Sequence, residues 1–536
     1  MKFAGIRMRF FTNLNISWIE FPWISYCLLI FGKKHLHKSS FMKKLSICTL
    51  LFTFIQFANA QQAVIRGDFA DPSVIKVGDT YYAAATSSNW APAFPLMKSK
   101  DLQNWQQAGS VFPDLTSWAD FYYWAPELNY DNGKVYVYYT AHKKGGNLCV
   151  GVASADSPEG PFKDHGPLVC QEAGSIDGFP IRDENNKLHL TWKEDGNSVG
   201  KPTPIWIQTI NEQRTALTGG KKELFRNDTP WEANLVEGVS VIKNNGYFYA
   251  IYAAAGCCGA GCTYATGIAR SKKLMGPWEK YSGNPILTGQ GEWMCPGHGT
   301  AVTHKGKNYF MYHAYDRASN KYTGRQALVR GFEFTSDNWL RFTDEYISPS
   351  DVSSSYSITD DFDKEKLDLQ WSWSVFNKPS VEIKNGRLGM KVKGDRETYI
   401  ARRIDSQNYE AVVETIPGKN TLAGVALIGD DKNLIYTVAT QDSIVVTLVK
   451  NGAKSNLGVF PIAAKGMHLF LKMNVKNNTD ISFSYSSKGS DFTTLKVASP
   501  DIKFLPPWDR AVRAGILAKG ADGDVAEIEG FVFKSY

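Results

Sequence analysis

From residue 61 onward the chain shows almost no stretch with the 3.6-residue apolar period of a helix. Short runs of alternating apolar and polar positions, separated by polar turns, predict an all-β protein instead. The turns recur in a recognisable form. Gly78-Asp79-Thr80-Tyr81-Tyr82, Asn132-Gly133-Lys134-Val135-Tyr136 and Asn185-Asn186-Lys187-Leu188-His189 are followed by Asn245-Gly246-Tyr247-Phe248-Tyr249 and Lys305-Gly306-Lys307-Asn308-Tyr309. The period is roughly 55–60 residues, in the range of propeller repeats. An apolar strand precedes each turn, and two more strand-like runs follow each aromatic one. Several of these last runs are joined by a turn such as Ser157-Pro158-Glu159-Gly160-Pro161-Phe162 or Met275-Gly276-Pro277-Trp278. Five four-stranded units predict a five-bladed β-propeller over residues 61–345, its innermost strands lining a central channel. The repeat ends near Phe342. A Ser/Pro-rich linker spans 346–358. From 359 to 536 the alternation resumes, in runs such as Asp442–Val449, Leu469–Val475 and Ala526–Phe533, and predicts a β-sandwich.

Composition narrows the function classes. With 43% hydrophobic and 21% charged residues among 536, wholesale disorder and a polytopic membrane protein are excluded. The net charge of +7 invites a nucleic-acid partner, but its location removes that reading. Residues 1–60 hold eight Lys/Arg and one acid, Glu20, which leaves 52 basic and 52 acidic side chains in the rest. A neutral body has no counterion-release term to drive phosphate binding. The leader, residues 1–60, carries a basic start at Met42-Lys43-Lys44, an apolar run Leu45–Phe57 and the cleavage pattern Ala58-Asn59-Ala60. That is the form of a signal peptide, with Met42 as the true start, and its apolar run is too short to span a bilayer. Export to the periplasm, or secretion, is expected.

Export allows disulfides among the six remaining cysteines. Cys149 and Cys170 lie symmetrically about the Glu159-Gly160 turn, where neighbouring antiparallel strands would face each other. Cys295 can reach Cys262 from the adjacent unit. Cys257 and Cys258 are left, as a vicinal disulfide or as two free thiols. Three cysteines in six residues leave little room for tetrahedral zinc.

Propeller geometry converts sequence phase into spatial convergence, because the first strand of every unit starts at one mouth of the channel. Four residues before a matching apolar position stand Asp71, Trp124, Asp177, Glu237 and His298. Three carboxylates facing one cavity perturb one another's titration, as acid/base catalysis requires. The blocks around them, Ala70-Asp71-Pro72-Ser73-Val74, Trp124-Ala125-Pro126-Glu127, Ser175-Ile176-Asp177-Gly178-Phe179-Pro180 and Glu237-Gly238-Val239-Ser240, resemble the signatures of glycoside hydrolase family 43. The C-terminal part resembles the concanavalin-like sandwich of exo-acting members. The resemblance implies an inverting hydrolase that removes arabinose or xylose from hemicellulose. It implies Asp71 as general base, Glu237 as general acid and Asp177 as the residue that tunes the acid and orients substrate. By the same resemblance His298 is the channel histidine beside a structural calcium ion in some members, no cofactor being required for the chemistry. Arg325 is similar to an arginine that hydrogen-bonds the sugar.

Inversion needs a protonated acid and an ionised base on opposite faces of the sugar, roughly 6.5–9.5 Å apart, and blades one and four can supply that gap. The charge of Asp177 is expected to keep Glu237 protonated. Trp90 and Trp124 are expected to pack on a sugar face. The loop holding Cys257 and Cys258 is expected to wall the pocket and restrict it to chain ends. The expected partner is a hemicellulose-derived oligosaccharide such as one from xyloglucan or arabinoxylan, with α-L-arabinofuranosidase the leading activity and β-D-xylosidase the alternative. A non-catalytic sugar-binding propeller would lack one of the acids, and none is missing. A retaining fructan-type hydrolase would carry Asn-Asp-Pro-Asn-Gly where this chain has Ala-Asp-Pro-Ser.

Overall fold

The computed structural model describes residues 61–351, 356–394, 396–464 and 466–536, so the leader and its proposed start lie outside the described residues. Five four-stranded antiparallel sheets follow one another in chain order. Blade one consists of Ser73–Val77, Thr80–Ala84, Ala93–Ser99 and Gln106–Phe112. Blade two runs through Ala119–Asp131, Lys134–Lys143, Leu148–Ala155 and Lys163–Cys170. Blade three holds Ser175–Arg182, Leu188–Glu194, Ile205–Ile210 and Leu217–Phe225. Blade four holds Val236–Asn244, Tyr247–Ala254, Ala265–Ser271 and the short Glu279–Lys280. Blade five is Trp293–His304, Lys307–Asp316, Arg325–Phe334 and Leu340–Ile347.

The aromatic runs that mark the repeat are the second strands. Each first strand touches the first strand of the next blade, and that of blade five touches that of blade one, so these strands ring the channel. The ring is closed by apolar packing of Val64, Ile65, Phe69 and Val74 against Val302, Met311, Ala327 and Val329 of blade five. Two backbone bonds lace the same seam: Val64 N–H donates to the Ala327 carbonyl at 2.9 Å, and Phe69 N–H to that of Arg325 at 2.7 Å.

The inner strands do not enter the channel as regular strands. Asp71, Ala125, Asp177, Gly238 and His298 all have positive φ, between 30° and 60°, at nearly the same phase of the five blades. The register shifts there in blades two to five. A bulge of this kind re-aims a side chain at a strand end. Four of the five are not glycine, so each kink costs on the order of 1–2 kcal/mol of backbone strain, concentrated where the chemistry is expected.

Residues 356–536 form two packed sheets. One has the order Ser380–Lys384, Arg387–Lys391, Val525–Ser535, Tyr409–Ile416, Leu469–Lys476, Asp480–Ser486, Thr493–Thr494, with Tyr356–Asp360 also pairing with Val525–Ser535. The other has the order Thr398–Arg403, Arg513–Lys519, Leu422–Asp430, Asn433–Ala439, Ser443–Lys450, Ala453–Pro461. Their inner faces enclose an apolar core that includes Met390, Ile400, Val413, Val425, Leu471 and Phe531.

The sandwich is joined to the propeller by more than the linker. Trp90–Ala91 of blade one pairs with Trp373–Ser374 of the sandwich. Trp90 is 2% exposed, sits edge-on to Tyr399 and lies under the Arg513 guanidinium. The structure therefore places Trp90 in the interdomain core, where its face is covered, and not on a sugar. Among the described residues no helix is long and apolar enough to cross a membrane.

Candidate active site

Asp71 is the most heavily braced carboxylate of the channel. Arg325 Nη1 donates to its Oδ1 at 3.1 Å and lies 3.3 Å from Oδ2, while the Thr86 hydroxyl donates to Oδ2 at 2.7 Å. Its backbone N–H donates to His313 Nδ1 at 3.0 Å, and His298 Nδ1 stands 3.6 Å from Oδ1. Burial alone would raise its pKa. Arg325, the two imidazoles and Thr86 outweigh burial and hold the carboxyl well below the ordinary carboxylate range. His313, fully buried, is pushed far below the usual imidazole value by that burial. It accepts the Asp71 N–H through Nδ1 and is neutral, so the charge that keeps Asp71 ionised comes chiefly from Arg325.

Glu237, from blade four, has a donor on each oxygen. Lys193 Nζ donates to Oε2 at 2.6 Å and the Tyr264 hydroxyl to Oε1 at 2.9 Å. Burial, followed by the charge of Glu237, pushes the Tyr264 phenol far above its ordinary value, so it remains a neutral donor. Lys193 is 1% exposed and also donates to Asp195 Oδ1 at 2.9 Å. A buried ammonium is retained only when paired in this way.

Asp177 lies between base and acid. Its Oδ2 accepts the Gly238 N–H at 2.8 Å. Burial, and then the Glu237 charge, raise its pKa to about 6 against the opposing pull of His298 and Lys193. Gly238 has to be glycine on two counts: its φ is +60°, and a Cβ there would stand 2.7 Å from His298 Cγ. Further along the inner strand of blade two, burial pushes the Glu127 carboxyl up to about 8. Thr300 of blade five donates to its Oε2 at 3.1 Å.

The sequence-predicted residues thus divide. Asp71, Asp177, Glu237 and His298 converge. Arg325 joins them but is turned onto Asp71, its Nη2 donating to the Asp509 carbonyl at 2.9 Å. Its Nε is buried without a protein acceptor. Trp124 is half-buried, with Nε1 donating to Asp509 Oδ2 at 3.2 Å and its face stacked on Tyr122 at 4.4 Å. Around His298 the protein supplies one imidazole, the Asp71 carboxylate already occupied by Arg325 and Thr86, and the Asp177 carboxylate bonded to the Gly238 N–H. That donor set does not fit the six to eight oxygens of a calcium site, and no step below depends on a cation.

Five contributors escaped sequence reasoning: Thr86 and His313 beside Asp71, Tyr264 and Lys193 beside Glu237, and Asp509. Lys193 left a signal, a lysine at the channel end of the otherwise apolar strand Leu188–Glu194. Asp509 left none. It reaches the propeller from the sandwich loop Trp508-Asp509-Arg510, where Ser88 Oγ donates to its Oδ2 at 2.5 Å and Arg510 to its Oδ1 at 2.6 Å.

All six cysteines of residues 61–536 are paired. Cys149–Cys170 staples the two outer strands of blade two, Cys262–Cys295 ties blade four to blade five, and Cys257–Cys258 is a vicinal disulfide. Cys262, Cys295, Tyr264 and Tyr315 share one apolar cluster, against which Cys257 packs. The vicinal loop is held by a bond from Gly259 N–H to the Tyr315 hydroxyl at 3.2 Å, close to the Trp508 carbonyl. Since Tyr264 ends this loop and bonds Glu237, the loop borders the acid.

Comparison with known proteins agrees with this geometry. The family model described as "Glycosyl hydrolases family 43" matches residues 60–340. The one described as "Beta xylosidase C-terminal Concanavalin A-like domain" matches 359–506. The chain is 28% identical over 499 residues to "Xylosidase/arabinosidase" of Butyrivibrio fibrisolvens, covering 81% of this chain and 92% of that one. It is 26% identical over 420 residues to "Non-reducing end alpha-L-arabinofuranosidase BoGH43B" of Bacteroides ovatus, covering 69% and 74%. Among solved structures, a xylan beta-1,4-xylosidase from Bacillus halodurans superposes with a TM-score of 0.74 at 22% identity, covering 89% of this chain and 100% of the other. The chain belongs to glycosyl hydrolase family 43 and is a glycosidase.

Proposed function

From membership of glycosyl hydrolase family 43, we propose an inverting, exo-acting hydrolase that releases terminal α-L-arabinofuranosyl residues from hemicellulose side chains, such as those of xyloglucan or arabinoxylan. The observation that carries the mechanism is the contrast between the two outer carboxyls. Asp71 is held as a carboxylate by Arg325 and Thr86, while Glu237, hydrogen-bonded to Tyr264 and Lys193, interacts electrostatically with Asp177, whose carboxyl keeps its proton up to about pH 6. Asp71 takes a proton from water as the water oxygen attacks the anomeric carbon. Glu237 gives a proton to the departing glycosidic oxygen, a proton that the buried pair it forms with Asp177 takes up before substrate binds. The bond to carbon inverts, and the two carboxyls then exchange protons with solvent to reset. Asp177 orients the pair by fixing the Gly238 N–H beside the acid. A sugar hydroxyl is the natural partner for the buried Arg325 Nε.

Exo action is supported by what walls the mouth: the sandwich loop at Asp509 and the Cys257–Cys258 loop. The arabinofuranosidase reading rests on likeness to the Bacteroides ovatus enzyme along both domains. β-D-Xylosidase is the second reading, favoured by the family description of the C-terminal domain. The three disulfides support action in an oxidising compartment, reached by export through the leader.

A panel of nitrophenyl arabinofuranoside and xylopyranoside separates the two sugars, and proton NMR of the first-formed sugar reads the stereochemistry. Glu237→Gln should lose about 10²–10⁴-fold on natural linkages and less on nitrophenyl substrates, whose leaving group needs no proton. Asp71→Asn should be inactive on both. Release of the retained anomer, or equal losses from both variants on both substrates, would overturn the roles.

A further inference from the structure

The outward side of one sandwich sheet carries a cluster that shares no residue with the channel. Its members are Glu414, His468 and Glu529, and one oxygen of each carboxylate lies 2.8 Å from the same ring nitrogen, His468 Nδ1. They come from three neighbouring strands: Tyr409–Ile416 in the middle, Leu469–Lys476 (which His468 immediately precedes) on one side, and Val525–Ser535 on the other. Val413, Leu469, Leu471, Ile528 and Phe531 of these strands point into the core, so the residues between them point outward. Glu529 owes its place to a bulge. Glu414 is opposite Gly530 and Thr415 is opposite Ile528, so Glu529 is the extra residue of its strand, and its side chain is re-aimed. Gly530 keeps the strand bare opposite Glu414, where a Cβ would begin 3.7 Å from Glu414 Oε2. Arg387 Nε lies 2.7 Å from Oε1 of Glu529 and leaves Oε2 to face the imidazole.

We propose that Glu414, His468 and Glu529 form a binding site for one divalent first-row transition ion, zinc, which pins three strands of the sandwich together. The three ligand atoms lie within 4.8 Å of one another, a span that one ion bridges. Zinc binds imidazole nitrogen at about 2.0–2.1 Å and carboxylate oxygen at about 2.0–2.2 Å, which sets neighbouring tetrahedral ligands roughly 3.3 Å apart. The two 2.8 Å contacts need to open by only about half an ångström, a side-chain adjustment that leaves the fourth position to water. An ion accounts for the arrangement better than an ion pair does. Nδ1 bonds in a single direction, through one N–H or one lone pair, and cannot serve two carboxylates at full strength. A cation in front of it takes all three groups. Charge agrees: Arg387 is shared between Glu529 and Glu527, which lies 3.7 Å from it, so the cluster is net negative whenever His468 is in the neutral form that ligates. Calcium would need six to eight oxygens, whereas imidazole with carboxylates suits zinc. Arg387 serves as the outer partner that orients a ligating carboxylate. His468 is 48% exposed, which leaves the site open to ions from solvent. The proposal is independent of the glycosidase reading of the channel.

The test uses the full protein, stripped with a chelator and desalted, and zinc chloride as the probe. Calorimetric titration should show one ion bound per chain. His468→Gln and Glu529→Gln should each weaken that binding at least about 10-fold, since even outer partners of a ligand are worth that much. Excess zinc should raise the melting temperature of the parent protein by a few degrees and leave that of His468→Gln unchanged. Glu414→Gln repeats both measurements at the second carboxylate, in case Glu529→Gln fails to fold. Absence of saturable zinc binding overturns the proposal and leaves the trio an ion pair. So does binding that His468→Gln retains at full strength, which would place the ion elsewhere, with His298 beside Asp71 the first candidate. Equal stabilisation by calcium chloride would also overturn it, because an ion that ignores the imidazole is not held by this donor set.

Discussion

Asp177→Asn should make the protein more stable at neutral pH while it loses activity. In the folded protein Asp177 titrates at about 6 instead of its ordinary 3.8, because burial and then the Glu237 charge oppose its ionisation. The folded state therefore holds this proton more tightly than the unfolded chain does. The resulting stability is fully present below pH 3.8 and is lost as pH rises through 6. At 1.36 kcal/mol per pKa unit the loss amounts to about 3 kcal/mol. Asparagine cannot ionise and escapes it, and its side-chain oxygen can still accept the Gly238 N–H. Other titrating groups, Glu127 among them, are common to both proteins and cancel in the comparison. Melting temperatures of the two proteins, taken in steps between roughly pH 4 and pH 7.5, should diverge by a few degrees in favour of the variant, with most of the change complete by pH 6. Hydrolysis of a natural substrate should meanwhile fall by at least about 10²-fold. A melting difference that is flat with pH, or one that moves against the variant as pH rises, would refute the reasoning.

Lys193→Met removes the ammonium shared by Glu237 and Asp195 and should cost about 3–5 kcal/mol, as for other broken buried pairs; kcat should fall more than KM rises, and an unchanged melting temperature would count against the pairing. Thiol titration of residues 61–536 in denaturant should find no free thiol before reduction and six afterwards, matching three disulfides. Treatment with a chelator should leave activity on nitrophenyl substrates intact, since carboxylates carry both proton transfers; reversible loss with the fold unchanged would place a cation in the chemistry.

The sequence was informative wherever physical necessity repeats along the chain. Five aromatic second strands at a near-constant spacing report five blades, because each blade buries the same strand between its neighbours. The phase that singled out Asp71, Asp177, Glu237 and His298 works for the same reason: ring closure brings equivalent positions to one mouth, and the kinks in the structure fall on or beside them. The disulfide Cys149–Cys170 was legible from a hairpin alone, since antiparallel partners lie at equal distances from their turn.

What the sequence left undetermined are contacts between segments far apart in the chain. Trp90 reads as a sugar platform from its loop, yet its strand pairs with Ser374 of the sandwich and Tyr399 and Arg513 cover its ring. Arg325 and Trp124 stand at the mouth as expected, but their partner Asp509 comes from the sandwich loop, 184 positions from Arg325 and 385 from Trp124. Charge followed the same rule. Periodicity could name Asp177 as a neighbour of Glu237, but only packing showed that Lys193 reaches the acid as well. Repetition and local pairing are written in the order of residues. The way two domains meet, and which buried charge compensates which, depends on the shape of the surfaces brought together, and that exists only once the chain has folded.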